Sequence, residues 1–128
     1  MDPLDRPVPE PKMPRSEDLD PRLMVVSYDD VSDTLMLHFF GQGRPAVSME
    51  VRNGFFLRVD PETHQVVGVQ VEAFLSRAVI EDPELLEVAE AAGIPEQTIQ
   101  RIRRRITPDA MKAAAASTLL RRLQPATT

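Results

Sequence analysis

Between Leu23 and Glu72 apolar residues alternate with other residues in short runs separated by turn formers, and beyond Glu72 their spacing lengthens toward about 3.6 residues. Successive side chains of a strand point to opposite faces, whereas a helix brings together positions three and four apart. A chain that shows the two periods in succession is therefore expected to form a sheet followed by helices. We expect an α+β protein in which about five antiparallel strands form a meander and about three C-terminal helices follow, the first packed on the sheet.

The strand runs are Met24 to Tyr28, Thr34 to Phe40, Ala46 to Arg52, Phe55 to Asp60 and Gln65 to Glu72. Asp29, Asp30, Ser32 and Asp33 separate the first two, because short polar side chains bond to nearby backbone and favour turns. In the second run Leu35, Leu37 and Phe39 share one face, with Thr34, Met36, His38 and Phe40 on the other, so both faces can be covered. The third run places Val47, Met49 and Val51 inward and Ser48, Glu50 and Arg52 outward. Asn53-Gly54 supplies two residues that tolerate positive φ and predicts a tight type I′ hairpin into the fourth run. Asp60-Pro61-Glu62-Thr63 makes the next turn, and Val67, Val69 and Val71 continue the inward row.

Asp82-Pro83-Glu84 offers an N-cap residue, a proline at the first helical position and an acid in the first turn, so a helix is predicted from there to Ala92. Gly93 ends it and Pro95 opens a second helix at its first position, with Ile99, Ile102 and Ile106 as its apolar stripe. Thr107-Pro108-Asp109 restarts the chain for an alanine-rich third helix, about Asp109 to Leu123, whose larger apolar residues are Met111, Leu119, Leu120 and Leu123. Six of the twelve prolines lie in the first 21 residues, which predicts a disordered tail over 1–22. The expected divisions are this tail, a sheet domain with its packed helix over 23–92, and a basic helical extension over 93–128.

At 128 residues the chain has room for one modest domain. The absence of cysteine excludes disulfides, zinc–thiolate sites and thiol nucleophiles, and makes a cytoplasmic location the expectation. No run approaches the roughly 18 apolar residues needed to span a bilayer, and the proline-rich start lacks the basic and apolar regions of a signal peptide. The net charge of −5 is uneven. Residues 23–92 carry twelve acids and four bases, whereas 93–128 carry two acids and seven bases. The basic end can dock on the acidic body, or it can meet nucleic acid or an acidic partner.

Tyr28-Asp29, Asp33 and Leu35, followed by Asp60, Thr63 and Val66-Val67-Gly68-Val69, give residues 24–72 a resemblance to the small bacterial domain-of-unknown-function family 2283. In that family a tyrosine-aspartate pair, a second aspartate four positions on and a leucine two further open a β-meander. An aspartate-rich turn then leads into a strand with a valine-glycine core. The chain departs at Val31, where the family usually has an acid, and at His64, where glycine is frequent. The resemblance implies a fold rather than a chemistry, together with an antitoxin-type role, since members are often regarded as partners of small toxin-like proteins.

Candidate catalytic groups are sparse. His38 and His64 are the only side chains whose ordinary range spans neutral pH, and no serine has a G-x-S-x-G setting. Asp29, Asp30 and Asp33 lack the glycine and distal acid of an EF-hand loop, and Gly41-Gln42-Gly43 lacks the Lys-Ser or Lys-Thr of a phosphate loop. No metal, cofactor, small-molecule ligand or membrane is implied. Residues 85–104 resemble a helix-turn-helix, with Ala89, Gly93, Ile94, Ile99 and Ile102 in its packing positions. On that alignment Gln97, Gln100 and Arg101 face the DNA groove and Arg103, Arg104 and Arg105 meet phosphates. Glu84, Glu87, Glu90 and Glu96 count against it by repelling phosphate. The reading adopted is a non-enzymatic interaction or regulatory module with a protein partner or a second copy, the latter paired through the alanine-rich helix. A DNA-binding regulator using residues 85–105 is the alternative.

Overall fold

The computed structural model describes residues 10–123. Its strands are β1 (Val25–Asp29), β2 (Thr34–His38), β3 (Val47–Arg52), β4 (Phe55–Val59) and β5 (Val66–Val71). The helices are α1 (Val79–Glu81), α2 (Leu86–Ala91), α3 (Glu96–Arg103) and α4 (Pro108–Leu123). The α+β class holds. The described residues divide into two compact units, 10–25 with 36–70 and 26–35 with 71–123.

The five strands form one sheet in the order β1-β2-β5-β4-β3, so only β3, β4 and β5 run as a meander. A meander throughout would have set β3 beside β2. Instead β5 takes that place, which fits its sequence: Val66, Val67 and Gly68 are consecutive and all buried, as a strand covered on both faces requires. The β2–β3 connection must then pass two intervening strands, about 14 Å at the usual spacing. The eight residues 39–46 reach that span readily.

In the first unit, Phe39, Val59 and Val66 are buried together, with Leu19, Met24, Leu37, Phe40, Met49, Leu57 and Val69 packed around them. Gly68 is required by a close approach: a Cβ there would lie 2.5 Å from the Leu37 carbonyl oxygen, which is backbone and cannot swing aside. Asp60 organises the turn before β5. Its carboxylate accepts the Glu62 and Thr63 N–H groups at 2.8 and 3.2 Å. These bonds, and then Arg44 at 3.2 Å, hold its carboxyl below the usual range. His64 follows at φ 64°, in the left-handed region that favours glycine.

Three expectations for this unit are corrected. Residues 1–9 of the predicted tail lie outside the described residues, but within 10–22 several residues have defined partners. Lys12 bridges Gln65 in parallel, its N–H donating to His64 O and its carbonyl accepting from Val66, and Leu19 joins the core. Proline content marked the composition but not the single leucine and backbone pairings that anchor it. The Asn53-Gly54 hairpin is present, but of the pair only Gly54 has positive φ, so the turn is not type I′. An irregularity between Glu50 and Arg52 is present in the β3–β4 register instead. That same irregularity takes Val51 out of the expected inward row. Val47 and Val51 are both more than half exposed on this edge strand, while Met49 packs on the core.

Candidate functional site

The second unit is built outward from Asp33, a residue at φ 53° in the aspartate-rich turn after β1. Its Oδ1 accepts the Tyr28 hydroxyl at 2.5 Å and the Leu75 N–H at 2.9 Å, and its Oδ2 accepts the Ser76 N–H at 3.1 Å. The Asp33 carbonyl accepts from Phe74 N–H at 2.9 Å. Asp33 thus caps the wide π-helical turn Phe74–Ala78 that leads into α1, a segment with no helix-start signal of its own in the sequence. Burial pushes the Asp33 carboxyl up, but the Tyr28 hydroxyl, Ser76 and the two N–H groups outweigh it and hold the carboxyl below its ordinary range. Burial, followed by the bond to Asp33, raises the Tyr28 phenol. The Tyr28 and Phe74 rings lie 6.1 Å apart, and Phe74, Ala78 and Val79 are buried behind them.

The next elements follow their sequence signals closely. Asp82 accepts the Glu84 N–H at 3.3 Å and Pro83 opens a short 3-10 turn, Pro83–Leu85, ahead of α2. Gly93, at φ 76°, ends α2 in a paired arrangement in which Gly93 N–H donates to Glu90 O and Ile94 N–H to Ala89 O. Pro95 is the N-cap of α3 rather than its first residue, with ψ 141°, because Glu96 already has the first helical position. Thr107 Oγ1 caps α4 by accepting the Ala110 N–H at 3.1 Å. Ala89 is completely buried in α2, and Ile99, Ile102 and Ile106 are buried beyond it.

These packing positions decide where the six singled-out residues stand. With Ile99 and Ile102 inward, Gln97, Gln100, Arg101 and Arg104 project from the opposite face of α3, and all are exposed. Glu96, Gln97, Gln100, Arg101 and Arg104 line one shallow groove. Gln100 donates to Glu96 at 2.9 Å and Arg101 to Thr98 at 3.4 Å, both within the helix. Arg105 is exposed in the turn after α3. Arg103 is separate: it lies on the flank toward α2 and pairs with Glu90 at 3.8 Å. It does not join the four that line the groove.

Sequence reasoning offered two destinations for the basic end, and the second unit shows a partial answer. Arg103 pairs with Glu90 and Arg121 with Glu84, which also accepts the Thr118 hydroxyl at 2.7 Å. Arg101, Arg104, Arg105, Lys112 and Arg122 have no acidic partner among the described residues. The α4 helix buries no residue. Thr118 and Arg121 turn toward Glu84, while Leu119, Leu120 and Leu123 are 61%, 64% and 79% exposed.

A second groove, about 400 Å³, is lined by Tyr28, Asp30, Leu75, Ala92, Gly93, Ile94, Pro95 and Thr98. Its phenol is already committed to Asp33. Elsewhere, Arg58 donates to Ser48 at 2.9 Å and Arg52 lies 4.4 Å from the centre of the Phe55 ring, so both guanidinium groups have structural partners. No helix of the described residues is long and apolar enough to cross a membrane. Comparison with family models, curated proteins and solved structures gave no match in any of the three.

Proposed function

We propose that the chain is a non-enzymatic interaction module that self-associates through α4. The observation that carries this reading is the absence of any buried residue from a helix of 16 residues, combined with three exposed leucines on one face. A solvated helix without a buried face is marginal in water, because helical stability in proteins comes mostly from packing an apolar stripe. On that face Ala113 and Ala116 precede Leu119, Leu120 and Leu123. An antiparallel pair of copies sets the small half of one helix against the large half of the other, filling space on both sides. It also opposes the two helix dipoles.

The reading is tested by sedimentation velocity of the full chain between about 5 and 200 μM. The expected result is a concentration-dependent dimer that becomes monomeric in the L119E/L123E variant with an unchanged circular dichroism spectrum. A wild-type chain that stays monomeric throughout removes the proposal.

A further inference from the structure

We infer that the outer face of α3 is a contact surface for duplex DNA, formed by Gln97, Gln100, Arg101 and Arg104 and extended by Arg105. This inference does not rest on self-association, since a single copy presents the whole face. Its first support is placement. Spacing of three, one and three residues puts these four side chains on one side of the helix, opposite Ile99 and Ile102, so burial of the isoleucines turns the polar groups outward.

The second support is charge. Arg101, Arg104 and Arg105 have no acidic partner among the described residues, whereas two of the four acids that count against nucleic acid are ion-paired. Glu90 is paired with Arg103 and Glu84 with Arg121, while Glu96, which accepts only from the neutral Gln100 amide, leaves one negative charge against the three arginines. Glu87 lines a groove with Arg121 and Arg122. The exposed face of α3 is therefore locally cationic although the chain carries −5 overall.

The third support is the mixture of groups. A purely electrostatic surface for an acidic peptide needs only cations. Here two amides precede the guanidinium groups along the same face, and amides and guanidiniums are the groups that match base edges in the major groove. Eight helical residues extend about 12 Å, comparable with the width of that groove. Arg103 is excluded from the surface, so the contact is narrower than the arginine run in the sequence implies.

The experiment is fluorescence anisotropy of the full chain against a labelled mixed-sequence DNA duplex, at several salt concentrations, with R101E/R104E and the charge-matched control R15E/R22E. If Arg101, Arg104 and Arg105 each meet one phosphate, affinity should fall roughly 40-fold between 50 and 200 mM salt. R101E/R104E should abolish binding while R15E/R22E leaves it within about threefold. The neutral R101Q/R104Q variant should lower the logarithmic salt slope by about two. Absence of binding at 50 mM salt, equal binding by R101E/R104E, or displacement of the duplex by polyglutamate at equal charge concentration would each overturn the proposal. The last outcome would assign the face to an acidic protein segment.

Discussion

Around Phe39, Val59 and Val66 the chain is held by apolar side chains that converge from neighbouring strands and by a glycine that lets two backbones meet. Around Asp33 it is held by one carboxylate that joins a phenol to the start of a helical segment more than 40 residues away in sequence. The first arrangement distributes its stability over many weak contacts. The second concentrates it in a few directional bonds, so a single atom change is felt through a whole segment. Both units contain an apolar core, and the difference lies in what sets the position of its elements.

The largest effect should come from Gly68→Ala in the first unit. The added carbon meets the Leu37 carbonyl at 2.5 Å, and moving that strand costs about 3 kcal/mol. Urea denaturation should show the loss directly. A change below 1 kcal/mol would mean that this close approach does not fix the strand.

Asp33→Ala should cost about 2 kcal/mol, since it removes a helix cap and leaves the Tyr28 hydroxyl without its acceptor. Asp33→Asn, which tolerates the left-handed backbone and keeps one oxygen, should recover part of the loss. Hydrogen exchange should locate the effect in residues 74–81. Uniform loss of protection through both units would break the proposed contrast.

The same carboxylate gives a pH signature. Its folded pKa lies below the unfolded value, so its stabilisation is fully present above the ordinary carboxylate range. It is lost as pH falls through the depressed value. Stability measured from pH 6 down to pH 2 should therefore fall less steeply in Asp33→Asn than in the wild type. Equal slopes would show that Asp33 carries no pH-linked stability.

Gly93→Ala should cost about 1 kcal/mol, because no atom lies near the added carbon and only the left-handed backbone resists it. The smallest effect belongs to Thr118→Ala. That variant should change global stability by under about 0.5 kcal/mol but speed amide exchange in α4, since it removes one of the two side chains held by Glu84.

Local chemistry made much of this fold legible. Five strands were placed to within two residues because alternation and turn residues are short-range signals, and Gly93 and Thr107 mark helix ends through their own backbone and hydroxyl. The helical segment after β5 was missed because its cap comes from Asp33, which no window around residue 74 contains. The candidate surface was legible in part. The isoleucine spacing identified the inward face of α3, but it could not separate Arg103 from its neighbours, because the position of Glu90 depends on how α2 packs against α3.

By itself the sequence determined the periods, the turns, the helix ends and the asymmetry of charge, all properties of residues within a few positions of each other. Tertiary structure alone decided that β5 lies between β2 and β4, that Asp33 caps a distant segment, and which basic side chains lack an acid. Local preferences are set by the backbone and side chain of one segment, whereas strand order and ion pairing depend on packing between segments that the chain separates by tens of residues.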